Sequence, residues 1–116
     1  MLDDFGTLSV RTYTAGDALP VPRASVRIFG AEEANRFSVH SLLTDENGIS
    51  PTVSLPAPNR KYSLEPHPDE PPYAIYDIEV NADGYLPRLL RSVPIFGGVY
   101  SLQPVSLVPT SVKEIY

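Results

Sequence analysis

A single all-β sandwich of seven or eight short strands is the fold this sequence predicts. Three observations predict it. Apolar residues recur at every second position in most segments, the period of a strand with one buried face. Turn residues interrupt those segments at short intervals, and the 13 prolines and 7 glycines among 116 residues are scattered rather than periodic. No segment of ten or more residues keeps an amphipathic helical period. The length is that of one domain, and an apolar content of 42% supplies its core.

The elements follow in order. Leu8 to Thr14 reads as the first strand, with Leu8, Val10 and Thr12 on one face. Ala15 to Pro20 reads as a turn, in which Pro20 ends pairing. Ala24 to Phe29 places Ala24, Val26 and Ile28 together, and Ala31-Glu32-Glu33-Ala34 in the following loop suggests one helical turn. Phe37 to Thr44 is the third strand, ended by the turn Asp45-Glu46-Asn47-Gly48. Short strands are expected around Val53 and Leu55 and from Tyr62 to Glu65. Pro66 to Pro72 holds four prolines in seven residues, which excludes helix and internal strand and predicts a stiff exposed loop. Tyr73 to Asn81 alternates most clearly, with Ala74, Tyr76, Ile78 and Val80 on one face. Leu89 to Phe96 and Leu102 to Val108 complete the set, the last with Val105 and Leu107 inward. The expected organisation is an N-terminal arm (1–7), a sandwich (8–109) and a C-terminal tail (110–116).

Charge and composition exclude several function classes. A net charge of -5 repels phosphate backbones and anionic lipid, so neither nucleic acid nor membrane is an expected partner. No apolar run approaches the ~20 residues that span a bilayer. The N-terminus Met1-Leu2-Asp3-Asp4-Phe5-Gly6 has no basic or apolar leader, so synthesis in the cytoplasm is expected. The absence of cysteine removes disulfides, thiolate metal sites and cysteine nucleophiles.

Several turn and strand segments fall in an order that resembles the carboxypeptidase regulatory-like domain, a transthyretin-like (prealbumin-like) Greek-key β-sandwich. Gly16 to Ile28 is similar to that family's opening turn and second strand, with Arg23 where the family usually has glycine. Thr44-Asp45-Glu46-Asn47-Gly48 resembles its hairpin, and Val80-Asn81-Ala82-Asp83-Gly84-Tyr85 its Ala-x-Gly-Tyr turn. Val93 to Gly98 and Val105 to Pro109 resemble its closing strands. The likeness spans Leu8 to Pro109. Tyr73 to Asp77 and Ile95 to Gly98 look similar to a subset in spore-forming bacteria, where such modules accompany cell-wall hydrolases or stand alone. The resemblance implies a non-catalytic module, and places it on a spore or cell surface.

The residues with chemistry support the same expectation. His40 and His67 are the two histidines, too few for a zinc site, and no cofactor is expected. Asp45 to Gly48 lacks the spaced carboxylates of a calcium loop and is explained by turn chemistry. Ser41 and His40 are adjacent on a strand and point to opposite faces, so they make no nucleophile–base pair. Paired carboxylates such as Asp3-Asp4, Glu32-Glu33 and Asp69-Glu70 lie in loops rather than at a fixed separation. No catalytic or metal-binding residue is therefore assigned. Tyr73, beside the proline loop with His67, is a candidate contact for cell-wall glycan or a partner protein. Leu2 and Phe5 at one end, and Val112, Ile115 and Tyr116 at the other, are candidate assembly contacts, because free tails are usually polar. The resulting expectation is a structural subunit that associates with copies of itself, as a filament, appendage or surface layer, through sheet edges and apolar tails.

Overall fold

The computed structural model describes residues 2–15, 19–59 and 71–110. The expected strand at 62–65, most of the proline loop with His67, and Val112, Ile115 and Tyr116 lie outside the described residues.

Two antiparallel-rich sheets pack face to face, as the alternation requires. The strands are β1 (Asp4–Thr14), β2 (Leu19–Pro20), β3 (Ser25–Gly30), β4 (Val39–Leu43), β5 (Val53–Ala57), β6 (Tyr73–Asn81), β7 (Arg88–Phe96) and β8 (Tyr100–Ser106). A 3-10 turn at Glu33–Asn35 separates β3 from β4. In the first sheet β1 is central. On one side it pairs antiparallel with β5 and then with β2, and on the other it pairs parallel with β8. The second sheet runs β4-β3-β6-β7, antiparallel throughout.

The core is built from the faces that the alternation marks. Leu8 and Val10 of β1, Val26 and Ile28 of β3, and Ala74, Tyr76, Ile78 and Val80 of β6 are all fully buried. Val21, Ala24, Leu55, Ala57, Ile95, Val105 and Leu107 complete it among the described residues. Each fully buried aliphatic side chain of this size contributes about 1.5–3 kcal/mol.

Buried polar groups close one end. Thr12 Oγ1 donates to the Val21 carbonyl at 2.7 Å, and Thr44 Oγ1 donates to the same carbonyl at 2.9 Å while accepting from Ala24 N at 2.8 Å. Ser50 Oγ accepts from Val10 N at 2.8 Å. These bonds satisfy buried groups that would otherwise cost stability. The Asp45–Gly48 turn is held by its own carboxylate, whose Oδ1 accepts from Asn47 N at 2.8 Å and Ile49 N at 3.0 Å. Gly48 has φ +77, and a Cβ there would strike the Thr12 carbonyl. Both facts require glycine at this position. At the other end the Tyr76 hydroxyl donates to the Pro56 carbonyl at 2.6 Å and ties β6 to β5 across the sandwich.

Several boundaries differ from the sequence reading, and β4 is shorter than expected, Val39–Leu43 rather than Phe37 to Thr44. β1 begins at Asp4 rather than Leu8, because Asp4, Phe5 and Gly6 pair with Ala57, Pro56 and Leu55. Pro20 does not end pairing: it lies in β2 opposite Tyr13, at a sheet margin where its missing N–H is tolerated. β8 starts at Tyr100 because its parallel partner Thr7 is already in β1. β7 is not one regular strand. Tyr76 pairs with Val93 and Ile78 with Leu90, so Asp77 faces both Arg91 and Ser92. This is a β-bulge, with Ser92 at φ +59 and Asp77 Oδ1 accepting from Ser92 N at 2.9 Å. The extra residue switches the inward set from Leu90 to Val93 and Ile95.

Candidate functional site

Two surfaces stand out, one on each sheet. The first lies on the outer face of β6 and β7. Their register places Tyr73 beside Phe96 and Ile75 beside Pro94. The Tyr73 and Phe96 rings meet with centroids 5.4 Å apart and planes tilted by 60°. The bulge brings Ser92 to the same face.

The third wall comes from the 3-10 turn. β3 ends at Gly30, which pairs with Tyr76, so the backbone of Ile75 has no strand partner on that side. The loop supplies one. Ala31 N and Asn35 Nδ2 donate to the Ile75 carbonyl at 3.1 and 3.0 Å, and Glu32 Oε1 accepts from Ile75 N at 3.1 Å. Asn35 is buried, and its Oδ1 accepts from Glu32 N at 2.9 Å, which fixes the loop. The result is an open groove of about 440 Å³ lined by Glu32, Tyr73, Ile75, Ser92, Pro94 and Phe96, with Pro71 adjoining. Its floor is aromatic, aliphatic and proline. Among the described residues Glu32 is the one charged side chain of that lining.

The second surface is β8. Leu107 N donates to the Tyr13 carbonyl and the Val99 carbonyl accepts from Thr7 N, so the odd-numbered residues turn their peptide groups towards β1. Alternation then turns those of Tyr100, Leu102, Pro104 and Ser106 away from it. Pro104 has no N–H to offer, and the Ser106 carbonyl accepts from Arg88 Nη1 at 2.7 Å. Tyr100 and Leu102 remain, at an edge that has no strand partner among the described residues. Their side chains are 56% and 45% exposed, on the same outer face as Phe5 at 56%. No charged side chain occurs from Ser92 to Val112.

The residues singled out from sequence are thus placed separately. Tyr73 lies in the groove, whereas Phe5 lies on the opposite sheet, on the same outer face as Tyr100 and Leu102. Leu2 packs against the domain's own core. His40 is half-buried in β4, and Ser41, the next residue, is exposed. Asp45 is committed to backbone amides. Among the described residues no three His, Asp or Glu side chains come together to hold a metal ion. Ile75, Pro94, Phe96, Glu32 and Leu102 were not singled out. Counting antiparallel register back from the Asp83-Gly84 turn points to the β7 partners of Tyr73, but the bulge offsets that count by one.

No protein-family model matches the chain, and no curated protein matches it in sequence. Solved structures do share its fold. The Bacillus anthracis TIE protein is similar with a TM-score of 0.57 and 13% identity, over 90% of this chain and 16% of that one. Catechol 1,2-dioxygenase from Acinetobacter sp. ADP1, inhibited by bound mercury, gives 0.59 and 15%, over 91% of this chain and 53% of that one. Chlorocatechol 1,2-dioxygenase from Pseudomonas putida gives 0.50 and 14%, over 92% and 61%. The chain therefore spans less than two thirds of each. At these identities the likeness is one of fold, an all-β sandwich, and carries no activity with it.

Proposed function

We propose that this chain is a non-enzymatic module of the carboxypeptidase regulatory-like kind, a subunit that associates with copies of itself through open sheet edges at a bacterial cell or spore surface. The observation that supports this reading best is the β8 edge. Exposed edge strands are normally blunted by charge, proline or bulges. β7 has all three, in Arg88, Arg91, Pro94 and the bulge at Ser92. β8 offers Tyr100 and Leu102 uncharged, ahead of Pro104. β4 is a second edge without a carboxylate, lysine or arginine, and exposes Val39 and Leu43. Two like-charged copies repel least where neither carries charge. A contact between unlike edges does not close on itself and propagates as a filament.

Multi-angle light scattering and negative-stain microscopy test the reading. The wild-type protein should form species whose mass rises with concentration. Leu102→Lys places a charge on the open edge without touching the core, and should return the protein to a monomer with an unchanged circular-dichroism spectrum. A wild-type protein that stays monomeric at high concentration overturns the proposal. Truncating the first six residues is a poorer test, because Asp4 to Gly6 belong to β1 and their loss damages the sheet.

A further inference from the structure

The groove on the opposite sheet is independent of the β8 edge, and its chemistry is specific. We infer that it is a docking site for an extended, proline-rich peptide segment carrying a lysine or arginine. Three features argue for that occupant.

The first is shape. Tyr73 and Phe96 meet at 60°, so they form a wedge-shaped slot rather than a flat platform. Proline rings pack into aromatic-lined slots of this kind, and a polyproline segment reaches them with little conformational entropy left to lose. Pro94 and Ile75 continue the apolar floor beyond the slot, and the volume of about 440 Å³ is that of a small binding site.

The second is charge. Glu32 stands in the wall, held there by its bond to Ile75 N, and among the described residues no lysine, arginine or histidine lines the groove. The chain as a whole carries a net charge of -5. A cationic side chain beside the proline is complementary to both the local and the global field.

The third is the scarcity of hydrogen-bonding groups. A saccharide needs a flat ring face and several donors and acceptors. Among the described residues the side-chain hydrogen-bonding groups of the wall are the Glu32 carboxylate, which already accepts from Ile75 N, and the hydroxyls of Ser92 and Tyr73. The observations favour peptide over glycan.

A fluorescein-labelled decapeptide of Pro-Pro-Arg repeats tests the inference by anisotropy, with amide chemical shifts recorded on the 15N-labelled protein. The Ile75, Ser92 and Phe96 amides should move on titration. Replacing arginine by glutamate in the peptide should weaken binding at least about tenfold, as should replacing proline by alanine. Glu32→Gln keeps an acceptor for Ile75 N while removing the charge, and should weaken the arginine peptide by a similar factor. Tyr73→Leu, which keeps an apolar side chain on β6, provides a second variant that tests the slot. The inference is overturned if the arginine and glutamate peptides bind equally, if neither variant weakens binding, or if no peptide binds. It is also overturned if soluble peptidoglycan fragments move these amides and the peptide does not. Light scattering on the same samples separates this result from self-association, which Leu102→Lys removes.

Discussion

Arg23 sits in the turn between β2 and β3 with φ +58, a left-handed conformation that costs a side-chain-bearing residue about 1–2 kcal/mol. Its backbone is held there by Arg23 N donating to the Thr44 carbonyl at 3.0 Å, in the same polar cluster that buries Thr12 and Thr44. Glycine accepts this conformation without strain but gains freedom in the unfolded chain. Arg23→Gly should therefore stabilise the domain by about 0.5–1 kcal/mol, read as a higher urea midpoint with an unchanged slope. A lower midpoint would mean that the arginine side chain contributes more than its backbone costs. An arginine gives no sign of this backbone in the sequence, where a glycine would have.

At the level of strands, the bulge in β7 depends on one side chain. Asp77 accepts from Ser92 N, the amide left without a ladder partner by the extra residue. Asp77→Ala should cost about 1–2 kcal/mol and should speed hydrogen exchange at Ser92 more than at Ile78, whose pairing it does not touch. Uniform exchange across β6 and β7 would count against that local role. This strand also shows where sequence stopped being informative. β6 was legible because Ala74, Tyr76, Ile78 and Val80 alternate without interruption, and all four are buried. In β7 both Leu89 and Leu90 are apolar, so the phase before Ser92 had two readings, and a one-residue bulge leaves no mark on composition. β2 was hidden by Pro20, which reads as a terminator but needs only a sheet margin.

Across the whole molecule, Tyr76 is the residue that couples the sheets, fully buried and bonded through its hydroxyl to Pro56 of β5. Tyr76→Phe leaves that carbonyl without its partner and should cost about 1–2 kcal/mol. Burial pushes the Tyr76 hydroxyl above the ordinary phenol value of 10.0, against the lowering effect of bonds with the Asn35 and Ser38 side chains. The raised value makes the unfolded chain release its proton first as pH climbs. The tyrosine's contribution is thus complete below pH 10.0 and is lost above it, as pH rises towards the folded value. The stability difference between wild type and Tyr76→Phe should be flat up to that pH and shrink beyond it; a difference that grows there would reverse the sign. The groove was only partly legible at this scale. Tyr73 announced itself beside two prolines, but Phe96, Pro94 and Glu32 join it through pairing that no local pattern encodes. The same holds for the open edge, since the parallel match of β8 to β1 joins the first and last of the described strands. That match has a consequence during synthesis. β1 is made before every other described strand of this domain and is the one on which the first sheet is centred, yet Thr7 to Tyr13 wait for Tyr100 to Ser106 before their second side is covered. Nearly the whole domain must be made before the sheet can close, so a nascent chain presents β1 as an exposed template until β8 follows, and folding of the domain should be slow and late.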